Sequence, residues 1–134
     1  MKLVVDANVL FSALLKDSIT RKLISDRRLE LFAPKFLLVE FLKYSKELQE
    51  KSKLSQENFF AISQQIISRI DFVADEQILI FFEAAKKLIT DKKDAPYVAC
   101  SLALNADLWS NDKQIINPRI KVWNTKQVYD KLYA

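Results

Sequence analysis

Not one glycine occurs in these 134 residues, and that absence constrains the chain more than any other single feature. Glycine takes positive φ without steric cost, so every left-handed position must fall to another residue. Asparagine is the usual substitute, which directs those positions to Asn105, Asn111, Asn117 and Asn124. The Walker-type loop and the dinucleotide fingerprint both need glycine to bring backbone close to phosphate. Neither can be written here, so the nucleotide-binding enzymes built on them are excluded.

Histidine is absent as well. That removes His-based triads, His–metal ligation and the commonest general base. The lone Cys100 excludes an internal disulfide and reads as core filler on an apolar helix. Chemistry is left to carboxylates, lysines, hydroxyls or a metal held by oxygen, and oxygen-only ligation points to Mg²⁺, Mn²⁺ or Ca²⁺. The formal charge of +4 permits a nucleic-acid partner without demanding one. The length suits one domain, 1–134, with one sizeable core. No apolar run approaches a membrane span, and a cytoplasmic protein is expected.

The hydrophobic pattern alternates between strands and helices. Residues 2–6, 29–33, 70–73, 107–109 and 120–123 read as strands. Helices are expected over 8–16 and 19–28, then from Pro34 to about Gln49 and from a Ser55 cap to about Ser68. Asp75 is expected to cap a helix reaching about Thr90. Further helices follow from Asp94, from Asp112 and over 125–132. Apolar positions 95, 98, 99, 102, 103 and 106 give the Asp94 helix one inward face. Such alternation implies an α/β fold: a three-layer α/β/α sandwich around a central, mainly parallel sheet of four to five strands. Ligands of such sheets bind outside the carboxyl ends of the strands.

Four acids fall at such places. Glu40 interrupts the apolar run from Pro34 to Leu42, with Phe36, Leu37 and Tyr44 as its helical neighbours. An ionised carboxylate in those surroundings must find a cation or neutralise. Asp6 ends the first strand, Asp94 opens a helix and Asp112 follows the strand 107–109. Each also has an ordinary role: Asp6, Asp94 and Asp112 as helix caps, and Glu40 as a partner of water or Lys43. Clustered carboxylates would repel and raise one another's pKa values, so together they make sense mainly as a divalent cation site.

Four stretches resemble the PIN domain family of small nucleases. They are Val4-Val5-Asp6-Ala7-Asn8-Val9-Leu10, Glu40 in its apolar helix, Asp94-Ala95-Pro96-Tyr97-Val98-Ala99 and Leu108-Trp109-Ser110-Asn111-Asp112-Lys113. The resemblance implies a PIN-like fold and a ribonuclease dependent on Mg²⁺ or Mn²⁺, with Asp6, Glu40, Asp94 and Asp112 as its catalytic and metal-binding acids. Asn8 and Ser110 fall on supporting positions. The same resemblance implies RNA as substrate and an antitoxin as partner, in the manner of virulence-associated protein C toxins. Asn111 replaces a common small residue. Gln114 stands where many relatives carry a further acid, which weakens the case for a tightly held second metal.

Arg21, Lys22 and Lys113 are candidate RNA-backbone contacts, against the plainer reading of solvated surface cations. Trp109 and Trp123 read as core. Apolar stripes at Phe59, Phe60, Ile62, Ile66 and Ile67, and at Phe81 and Phe82, read as core or as the interface of a homodimer. Two other classes compete with the nuclease. One is a PIN-like module that binds RNA or protein without catalysis. The other is a receiver-like signalling domain, which needs an acidic pair after its first strand that Asp6-Ala7 does not supply.

Overall fold

The computed structural model describes residues 1–15, 19–112 and 119–134. Its centre is a five-stranded sheet in the order β3-β2-β1-β4-β5. The strands are β1 (Lys2–Val5), β2 (Glu30–Pro34), β3 (Ile70–Val73), β4 (Asp107–Trp109) and β5 (Val122–Trp123). Every pairing is parallel, so the expected mainly parallel sheet is wholly so. Parallel strands covered on both faces read as continuous apolar runs. Leu3, Val4 and Val5 of β1 are accordingly all fully buried.

The helices are α1 (Ala7–Leu15), α2 (Ile19–Ile24), α3 (Phe36–Ser52), α4 (Gln56–Ile67), α5 (Asp75–Ile78), α6 (Phe82–Lys86), α7 (Ala95–Leu104) and α8 (Thr125–Tyr133). Their contacts fall into two groups. α1 packs on α2, α3 and α4, and α2 on α8, while α7 packs on α5 and α6 and lies against β1, β2 and β4. α7 is the most enclosed, with every residue from Tyr97 to Leu102 buried. Removing a Leu or Val side chain of that kind from water stabilises the fold by about 1.5–3 kcal/mol. Cys100 is fully buried among them as expected, and burial pushes its thiol up to about 12.

Several expectations need correction. Pro34 ends β2, paired with Val73, instead of opening α3, which begins at Phe36. α2 ends at Ile24, four residues early. Asp75 does not cap its helix: Ala74 holds the cap position and makes no side-chain bond. The expected helix to Thr90 is broken into α5, a 3₁₀ turn over Leu79–Phe81 and α6. The turn falls where Leu79 and Ile80 are exposed between the buried Ile78 and Ala85, and short 3₁₀ pieces of this kind commonly connect helices. Of the asparagines, Asn105 does take positive φ (50°), but the other left-handed residue among those described is Lys53 (60°). Asn124 instead sits extended and forms a capping box with Gln127 at the start of α8. Asn117 and the helix expected after Asp112 lie outside the described residues.

Candidate functional site

Strand order brings the acids to one edge. The chain lays β2 and β3 on one side of β1, then returns to place β4 on the other. The β1/β4 boundary is therefore the switch point at which parallel sheets open a crevice beyond their carboxyl ends. Val5 is in register with Trp109, so the residues that follow them, Asp6 and Ser110, emerge side by side. Glu40 stands in the second turn of α3, just after β2. Asp94 precedes α7, which runs back from this edge to supply the parallel strand β4.

Asp6 is buried, at 1% exposure. Its Oδ1 accepts from the backbone N–H of Ala7 at 2.9 Å and its Oδ2 from the Ser110 hydroxyl at 2.9 Å. Ser110 Oγ in turn accepts from the backbone N–H of Asp112 at 3.3 Å. The Asn8 side-chain amide donates to Asp112 Oδ2 at 2.7 Å. Asp6, Ser110, Asp112 and Asn8 thus form one connected polar chain across the β1 and β4 ends. Each bond to an ionised carboxylate is of the charge-assisted kind, which holds geometry well.

On α3, Glu40 Oε1 accepts a hydrogen bond from the Tyr97 hydroxyl. The expected partner Lys43 instead lies over the Tyr44 ring, 5.3 Å from its centroid. Burial above all, then the Glu40 carboxylate and the negative fields of Asp6 and Asp94, push the Tyr97 hydroxyl well above the usual phenol range. Tyr97 therefore feels three of the four acids at once. Asp94 occupies the N-cap position of α7 but makes no side-chain capping bond, so the simple cap reading does not describe it.

The other sequence candidates divide. Arg21 Nε donates to the carbonyl of Ala13 at 2.9 Å, and the Lys22 ammonium lies over the Tyr133 ring at 5.0 Å. Lys113 and Gln114 lie outside the described residues. Trp109 is fully buried and donates to Thr125. Trp123 is half-buried and donates to Asp107. Tyr97 is a candidate that the sequence reading passed over, because it was left off the expected inward face of its helix, whereas α7 buries every residue from Tyr97 to Leu102. The available signal was a tyrosine one turn after an acid, because a buried phenol needs a partner for its hydroxyl.

The donor set is all oxygen, which suits Mg²⁺ or Mn²⁺. Among the described residues, however, no three metal-ligating side chains stand close enough together to hold an ion as they are placed.

Comparison with protein families finds a match to the PIN domain over residues 4–133. The chain belongs to the PIN domain family, whose members are generally nucleases, often in toxin–antitoxin systems. Comparison with curated proteins finds no match. Among the described residues no helix is long and apolar enough to cross a membrane.

Proposed function

We propose that this chain is a Mg²⁺- or Mn²⁺-dependent endoribonuclease, acting in the cytoplasm as the toxin of a toxin–antitoxin pair. The observation that carries the reading is the buried Asp6 at the sheet's switch point. Ser110 and Asn8 link it to Asp112, while Tyr97 donates to Glu40. Asp6, Glu40 and Asp94 would hold the ion directly or through water. When bound, it supplies a lowered pKa for its water and relief of the phosphate's negative charge. Ser110 holds the Asp6 carboxylate in place, and Asn8 orients Asp112 either as a further ligand or to position a water. An antitoxin would cover this crevice, with an arginine suited to pairing with the acids. A homodimer would bury the apolar groove between α3 and α4, about 430 Å³, where Leu42 and Phe60 are exposed.

The purified protein should cleave RNA with Mg²⁺ or Mn²⁺, leave 5′-phosphate and 3′-hydroxyl ends, and stop in EDTA. Asp6→Asn should lose about 100-fold or more of that activity and relieve growth inhibition on expression. Cleavage that persists in chelator, or that yields a cyclic phosphate, would remove the reading. A second reading, a non-catalytic PIN module that binds RNA or protein, draws support from the acids standing apart. It expects RNA binding with no cleavage under any metal.

A further inference from the structure

Tyr44 joins α3 to α1 beside the polar chain at the strand ends. Its ring meets Phe11 of α1 edge-on, with centroids 5.9 Å apart and planes at 70°. Phe11 stands one turn after Asn8, whose amide holds Asp112, so the two share a face of α1. One helical turn and one ring contact thus separate Tyr44 from the chain that links Asp6, Ser110, Asp112 and Asn8. Neither ring is sealed in the core: Phe11 and Tyr44 are half-buried, while Asn8 and Lys43 are exposed. The Lys43 ammonium lies over the Tyr44 ring, 5.3 Å from its centroid. Its two acidic neighbours on α3 are engaged elsewhere, Glu40 with Tyr97 and Glu47 with Lys51 at 3.0 Å. Among the described residues the Tyr44 hydroxyl makes no hydrogen bond and Lys43 makes no ion pair.

We infer that Tyr44 and Lys43 form a subsite for one nucleotide of single-stranded RNA, with its base stacked on the Tyr44 ring and its phosphate against the Lys43 ammonium. The subsite rests on the RNA-cleaving reading above. A partly exposed aromatic ring beside an unpaired cation matches what every nucleotide carries, a π-face and a negative charge. Stacking a base is worth more than an exposed cation–π contact, so an arriving base displaces the ammonium from the ring. The flexible four-carbon stem of lysine then lets that ammonium reach the phosphate. Carboxylates at the strand ends repel the strand, and a cation one turn away offsets part of that repulsion. Because all bases have a π-face, the subsite selects single strands over duplexes and reads no sequence.

The test is binding of a fluorescently labelled, single-stranded octauridylate, followed by anisotropy in Mn²⁺ over a series of salt concentrations. Asp6→Asn is the parent protein, so that the strand stays uncut, and Tyr44→Leu, Tyr44→Phe and Lys43→Gln are each added to it. Tyr44→Leu should weaken binding about 5-fold or more, the loss of one stacked base, and leave the salt dependence as it was. Tyr44→Phe keeps the π-face and should stay within about twofold of the parent. Lys43→Gln should lower the slope of log affinity against log salt by about 0.7, the share of one phosphate contact on a single strand. Equal affinity of folded Tyr44→Leu and the parent would overturn the subsite and leave Tyr44 as a packing partner of Phe11. An unchanged slope in Lys43→Gln would overturn it too, and that exposed position decides alone if Tyr44→Leu does not fold. A parent that binds no octauridylate would defeat the RNA reading and the subsite together.

Discussion

Asp26 gathers donors from two parts of the chain and ties them together. It accepts from Arg28 Nη2 at 2.7 Å, Arg28 Nε at 3.1 Å, the Arg28 backbone at 2.9 Å and the Tyr133 hydroxyl at 2.9 Å. Arg28 also donates to the carbonyl of Leu132, so α8 is fastened to the turn before β2. The Arg28 guanidinium holds the Asp26 carboxyl well below its ordinary 3.8. A carboxyl depressed on folding stabilises above its unfolded pKa and loses that contribution as pH falls through the folded value. Asp26→Asn should therefore melt below wild type by a constant margin above about pH 5, and the gap should narrow as pH drops below about 4. A gap independent of pH, followed by calorimetry, would contradict the clamp. Nothing in the sequence announced it: Arg28 reads as one more cation in a basic run, and its partner becomes visible only once α2 stops at Ile24. The four acids were legible for the opposite reason. Asp6, Asp94 and Asp112 stand at element boundaries that the apolar pattern itself defines, and Glu40 inside an apolar run of α3. Tyr97 was not, because its partner is on another helix, 57 residues away.

At the scale of elements, the missing glycines show most clearly where helices end. α3 closes on Lys53 at φ 60° and α7 on Asn105 at φ 50°. Asparagine tolerates that region and was anticipated; lysine has no such preference, and its place was set by the stop of α3 alone. Lys53→Gly should raise stability by about 0.5–1 kcal/mol, and Lys53→Val should lower it by a similar amount. Denaturant unfolding measures both, and a destabilising Lys53→Gly would mean that the lysine side chain contributes more than its strained backbone costs. The boundaries of α4 and β3 were legible because a serine cap and a short apolar run mark them. The break between α5 and α6 was not, because Ile78, Phe81, Phe82 and Ala85 keep a helical spacing straight through it. Periodicity reports which face is buried, and a turn tightened to 3₁₀ over three residues hardly changes that face.

For the whole molecule, the strand order β3-β2-β1-β4-β5 does what no single motif does. Alternating strands and helices predicted the parallel sheet, but not which strands would be neighbours. Pairing β1 with β4 is what sets Asp6 beside Ser110, and the packing of α7 against β1 and β2 is what carries Tyr97 to Glu40 of α3. Shared use of those acids is best tested by thermal melting in EDTA and in Mn²⁺, for the wild type and for Asp6→Asn, Glu40→Gln and Asp94→Asn. In EDTA, Asp94→Asn should be at least as stable as the wild type, since Asp94 makes no side-chain capping bond to lose and like-charge repulsion falls. In Mn²⁺ at 100 times its dissociation constant, the wild type should gain about 2.7 kcal/mol by mass action, and each variant clearly less. Equal Mn²⁺-induced shifts in all four proteins would contradict a shared cation site.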